Sequence, residues 1–84
     1  MTRFEIAMNT NTPFIDLKAL AHTLKSEGME QVPIYHLFSH YHQILDGDDP
    51  RYDAVTDVQD LIWGGSWAKG DALFEHEVTA DEVA

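Results

Sequence analysis

The stretch from about Asp53 to Trp63, DAVTDVQDLIW, has two chemically different sides when it is drawn as a helix. Its apolar residues Ala54, Val55, Val58, Leu61 and Ile62 share one face. At 100° per residue, Asp53, Asp57 and Asp60 fall within about 60° of each other on the opposite side. The stretch is therefore predicted to be an amphipathic helix that packs on other apolar faces and exposes a row of carboxylates.

Two further amphipathic helices are predicted before this stretch. The first follows Thr12 as N-cap and Pro13 in the first turn, and it ends at Gly28. Its apolar face consists of Phe14, Leu17, Leu20, Ala21 and Leu24. The second opens at Pro33 and ends at the acidic turn 46–50. Its apolar face consists of Ile34, Leu37, Phe38, Tyr41 and Leu45.

The two ends of the chain alternate between apolar and polar residues, which is typical of half-buried strands. Near the N-terminus, Phe4, Ile6 and Met8 would lie on one side of a strand. Near the C-terminus, Phe74, His76 and Val78 would do the same within residues 72–78. The predicted fold class is therefore α+β, with an N-terminal strand, three short helices and a C-terminal strand beside the first. Residues 1–78 are expected to form one globular domain and residues 79–84 a flexible acidic tail.

Charge is distributed very unevenly along the 84 residues, whose formal net charge is -10. Residues 1–45 contain four acidic and three basic side chains, whereas residues 46–84 contain eleven acidic and two basic ones. Such a surface repels nucleic acid and anionic lipid, which proteins bind by supplying Lys and Arg. It attracts basic partners, and long-range steering accelerates their capture.

Several function classes are disfavoured by the residues themselves. The chain has no Cys, no glycine-flanked serine after a strand and no dinucleotide-binding motif. Gly65 and Gly70 have the spacing of a phosphate loop, but Asp71 stands where that motif requires Lys. The sequence therefore predicts neither an enzyme nor a cofactor-dependent protein. The absence of a long apolar run and of Cys favours a cytoplasmic protein with no membrane contact.

The acidic row is the strongest candidate binding site. Asp53, Asp57 and Asp60 on the predicted helix follow three more carboxylates, Asp46, Asp48 and Asp49, in the preceding loop. Carboxylates one helical turn apart are separated by about 5–6 Å, which resembles the spacing of phosphates along a nucleic-acid strand. We expect these six residues to bind a basic protein surface, with Trp67 adding apolar contact.

Two alternatives remain open at this point. His36 and His40 lie one helical turn apart and form half of a metal site, with the other ligands unassigned. A third interpretation is a structural homo-oligomer, such as a homodimer, held together by exposed aromatic side chains. Metal analysis and mass in solution would distinguish these interpretations from partner binding.

In being short, acidic, Cys-free and built from one domain, the chain resembles the small inhibitors that bacteriophages use against host defences, including antirestriction and anti-CRISPR proteins. The profile is equally similar to that of many antitoxins and immunity proteins. This resemblance implies non-catalytic binding to a surface that otherwise holds DNA or RNA, without direct nucleic-acid contact. For a phage-encoded protein, the site of action would be the host cytoplasm.

Overall fold

Five helices make up the regular structure in the computed structural model, which describes residues 2–65, 70 and 72–83. They are α1 (Arg3–Met8), α2 (Pro13–Ser26), α3 (Gln31–Ile44), α4 (Pro50–Trp63) and α5 (Ala80–Val83). The described residues contain no strand, so the predicted α+β fold is wrong and the architecture is all-helical. None of the helices in these ranges combines the length and apolarity needed to cross a membrane.

The N-terminal segment is a helix because Thr2 and Glu5 form a reciprocal capping box at its first turn. The Thr2 hydroxyl accepts a hydrogen bond from the Glu5 backbone N–H, and the Glu5 carboxylate accepts one from the Thr2 backbone N–H. Phe4, Ala7 and Met8 are buried at helical spacing, whereas Ile6 is 55 % exposed. The prediction of a strand with Phe4, Ile6 and Met8 on one side is therefore wrong, and the buried residues follow the period of a helix.

Three long helices supply most of the core, as the sequence predicted. Buried residues come from α2 (Leu17, Leu20, Ala21, Leu24), α3 (Ile34, Phe38) and α4 (Ala54, Val55, Val58, Leu61, Ile62). The helix α4 packs against both α2 and α3. It begins at Pro50, earlier than predicted, because Asp49 caps its first turn.

Residues 72–79, here called the strap, cross the end of the bundle without forming the predicted C-terminal strand. Leu73 and Val78 donate backbone hydrogen bonds to the carbonyl oxygens of Leu61 and Trp63, and both side chains are buried. The Gln31 amide donates to the carbonyl oxygens of Ile62 (2.9 Å) and His76 (2.5 Å). Because the N-terminal segment is helical, it offers no strand edge with which the strap can pair.

A glycine is required where the strap crosses the end of α4. Gly64 has φ +87°, a backbone conformation that side chains with a Cβ rarely adopt. A Cβ at this position would lie 3.0 Å from the His76 carbonyl oxygen. The end of α4 and the strap can therefore approach closely only without a side chain at residue 64.

Candidate functional site: the outer face of α3 and α4

Helices α3 and α4 form an antiparallel pair joined by the acidic loop 45–49. Three side-chain contacts connect them: Tyr35 to Trp63 (ring centroids 5.2 Å apart), Ser39 Oγ to Gln59 Nε2 (2.8 Å), and His42 to Tyr52 (ring centroids 4.3 Å apart). Residue numbers rise along α3 while they fall along α4, which gives the antiparallel orientation. These contacts fix which side of each helix faces the other.

Several polar residues of both helices therefore lie on one side of this pair. Ile34 and Phe38 of α3 and Val55, Val58 and Ile62 of α4 face the core that the pair shares with α1 and α2. The side turned away from that core, here called the outer face, consists of the exposed His36, His40, Gln43, Asp53 and Asp57 and the half-buried Asp60. The structure thus brings the predicted acidic row and the predicted histidine pair onto the same face.

Asp57 is the clearest member of the acidic row. It is exposed near the middle of α4, and within the described part of the chain it has no hydrogen bond or ion pair. Asp53, one turn earlier, is also exposed, and its place in the first turn of α4 suits the positive end of the helix dipole. Asp60 is half-buried and already engaged in an interaction.

The two helices that form this face contain few cations of their own. Helix α3 contains neither Lys nor Arg, and the only basic residue in α4 is Arg51. The Arg51 guanidinium donates to both Asp49 carboxylate oxygens, at 2.6 to 3.1 Å, and to Asn9 Oδ1 at 2.6 Å. Like-charged side chains four residues apart destabilise a helix, so Asp53 and Asp57 together do not favour the fold of α4.

Asp49 belongs to the structure of α4 and not to a free acidic surface. Its carboxylate accepts a hydrogen bond from the Arg51 backbone N–H at 2.9 Å and forms an ion pair with the Arg51 side chain. Hydrogen bonds from Arg51 lower the pKa of Asp49 from 3.8 to about 2. Asp49 is therefore a predicted carboxylate whose charge is already neutralised by a cation of the chain.

The two remaining predicted carboxylates, Asp46 and Asp48, are exposed in the loop between α3 and α4. An Asp46 carboxylate oxygen accepts the Asp48 backbone N–H at 3.3 Å, which orders the turn. Directly before them, at the end of α3, Ile44 is 64 % exposed. Ile44 was not among the residues predicted from the sequence for the site, although it lies outside the α3 apolar stripe and its exposure follows from that position.

His36 and His40 are both exposed on α3. The His40 ring contacts the edge of Tyr41, with centroids 5.2 Å apart. Among the described residues, no group of three or more His, Cys, Asp or Glu side chains is arranged to hold a metal ion. The predicted pair therefore remains two ligands without a third.

The two tryptophans differ in what the structure describes. Trp63 is half-buried against Tyr35 at the end of α4. Trp67, the predicted apolar contact of the binding site, lies outside the described residues. Ile44, next to the acidic loop, is an apolar side chain that the structure describes as exposed.

Comparisons with protein-family models, curated proteins and solved structures found no match to this chain.

Proposed function

We propose that this chain is a non-enzymatic binding protein whose outer face occupies a basic protein surface that otherwise holds DNA or RNA. The observation that carries the proposal is Asp57, an exposed carboxylate in mid-helix, without a partner among the described residues and flanked by two more carboxylates on α4. Its charge contributes nothing favourable to α4, whereas a basic partner would be attracted by it. The cytoplasm, or a host's cytoplasm for a phage-encoded protein, is the proposed place of action.

The spacing of the exposed carboxylates suits a surface built for phosphates. Asp53 and Asp57 are four residues apart, which corresponds to a rise of about 6 Å along the helix axis. Asp46 and Asp48 extend the negative charge beyond the start of α4. Lys and Arg side chains that neutralise successive phosphates of a strand can therefore meet carboxylates at a comparable separation.

Apolar contact is proposed to come from Ile44, with Trp67 as the second contributor predicted from the sequence. The Ile44 side chain is 64 % exposed and two residues from Asp46. An apolar side chain beside carboxylates matches interfaces in which a buried anchor is surrounded by a polar rim. We expect Ile44 to affect the lifetime of the complex and the carboxylates to affect its rate of formation.

The test is capture of binding proteins from an extract of the source or host cells on the immobilised chain. Retained proteins are eluted with double-stranded DNA, identified, purified and titrated against the free chain. We expect a nucleic-acid-binding protein that DNA displaces, with an affinity that falls steeply as salt is raised. Replacing Asp53 and Asp57 together by Asn should weaken that purified complex by about tenfold or more.

The control replaces Glu30 and Glu75 together by Gln. Both are exposed and lie outside the outer face, and the double change alters the net charge by the same amount. Binding by this control should stay close to that of the unmodified chain. Equal weakening of both double variants would show that only total charge matters, and full binding by the Asp53 and Asp57 variant would refute the proposed surface.

A further inference from the structure

A groove of about 400 Å³ lies between α1 and α2, on the side of these helices that is open to solvent. Its apolar part is formed by Ile6, Ala7, Ala19 and Leu20. Ile6 is 55 % exposed at the groove, and Ile15, one turn before Ala19 on α2, is 61 % exposed. Exposed isoleucines on adjacent helices are typical of a surface that another protein covers.

The charge of this region differs sharply from that of the rest of the chain. Residues 1–27 contain three acidic and three basic side chains and are therefore electrically balanced. Residues 28–84 contain twelve acidic and two basic side chains, a net charge of -10. Two copies of this chain repel each other over most of their surfaces, and α1 and α2 form the region where that repulsion is smallest.

The groove is also self-complementary in shape and polarity, so that the same surface on two copies can fit together. Ile6 projects beside the small residues Ala7 and Ala19, so the same surface offers both a projection and a hollow. Arg3 lines the end of the groove near Glu27, and Asp16 lines the other end near Thr10. A two-fold axis across the groove would bring each Arg3 towards the Asp16 end of the other copy.

We propose that the apolar groove between α1 and α2 is the contact surface of a homodimer, with a second copy of this chain as its occupant. The molecule measures 30 × 27 × 23 Å. Even a contact that covered a whole 30 × 23 Å side, about 700 Å² per copy, would be slightly below the standard size for stable complexes, so the dimer is reversible. This proposal is independent of partner binding, because the outer face lies on the other side of the core.

Sedimentation equilibrium at protein concentrations up to about 1 mM tests the proposal, since a reversible dimer of this size forms in the micromolar to millimolar range. The mass should rise with concentration from 9.5 kDa towards twice that value. Salt at about 0.5 M should favour the dimer, because it screens the repulsion between acidic copies and leaves apolar contact intact. A complex made through the outer face should weaken under the same conditions.

Matched variants locate the contact. Replacing Ile6 and Ile15 by Gln should keep the protein monomeric at concentrations where the unmodified chain is mostly dimeric, and the fold should persist because both side chains are more than half exposed. Ile44→Gln removes an equally exposed isoleucine elsewhere and should leave the dimer unchanged. A mass of 9.5 kDa at every concentration, or a dimer that survives the Ile6 and Ile15 changes, would overturn the proposal.

Discussion

Asp49 and Asp57 are two of the six carboxylates of the predicted binding site, yet the chain uses them in opposite ways. Asp49 caps α4 and binds Arg51, and the Arg51 guanidinium continues to Asn9 at the end of α1. Asp57 has no partner among the described residues and stands between two other carboxylates on α4. The difference teaches that the carboxylates near α4 are of two kinds: some stabilise the fold, and others have no partner within the described residues and can be contacted by another protein.

The largest effect that separates the two carboxylates should be on stability. Asp49→Ala removes the N-cap oxygen and the ion pair with Arg51, so we expect the Tm to fall by about 5 °C or more. Asp57→Ala removes an exposed charge without a partner and should change the Tm by no more than about 2 °C. Thermal unfolding followed by circular dichroism measures both, and equal shifts would contradict the division into structural and available charge.

The pH dependence of stability should also separate Asp49 from a carboxylate without a partner. The pKa of Asp49 is lowered from 3.8 to about 2 by Arg51, so its contribution to stability is complete above about pH 4 and is lost as the pH falls towards 2. Asp49→Asn retains a capping side chain but has no carboxyl group to protonate. Urea unfolding between pH 5 and about 2 should therefore show a shallower pH dependence for this variant.

A control for this titration is another ion pair of the described residues, Arg3 with Glu27. Arg3 lowers the pKa of Glu27 through hydrogen bonds, so part of the acid sensitivity belongs to that pair and remains in Asp49→Asn. Glu27→Gln should remove the part of the acid sensitivity that belongs to the Arg3–Glu27 pair. If Asp49→Asn followed the unmodified curve at every pH, the Arg51 contact would contribute nothing in solution.

Substitution of Arg51, the cation of the same ion pair, should lower the Tm by a smaller amount. Arg51→Gln removes the bridge from Asp49 to Asn9 but leaves the Asp49 carboxylate as the cap of α4. The Tm should fall less than in Asp49→Ala, by about 2–4 °C, because the partly exposed ion pair contributes less than the cap. Differential scanning calorimetry of the two variants, run together with the double variant, measures how far the cap and the pair act separately.

The sequence predicted the exposed positions of Asp53 and Asp57 because α4 is long and strongly periodic. Fourteen residues with one apolar side leave little doubt about which positions are exposed, and Asp53 and Asp57 follow from that period. It did not predict the structural use of Asp49, although a carboxylate two residues before Arg51 and directly before Pro50 is a readable capping signal.

The ends of the chain were predicted wrongly for two different physical reasons. Six residues in α1 fit both an alternating and a helical pattern, and the capping pair Thr2 and Glu5 decides in favour of the helix. That signal is local and could have been read. The strap depends on Gln31 and on carbonyl groups at the end of α4, which are distant in sequence, so no local pattern predicts it.

The smallest effect on stability is also the most informative about function. Asp57→Lys places a cation one turn from both Asp53 and Asp60 and replaces two repulsive pairs on α4 by attractive ones. We expect the free energy of unfolding to rise slightly, by about 0.3–0.5 kcal/mol, in urea titrations at low salt. The same change should reduce affinity for the proposed basic partner more than Asp57→Asn does, because it adds repulsion to the loss of attraction. A substitution that stabilises the free protein while it weakens the complex separates a binding residue from a structural one. If Asp57→Lys destabilised the chain instead, Asp57 would have a structural role like that of Asp49, and the contrast between the two carboxylates would disappear.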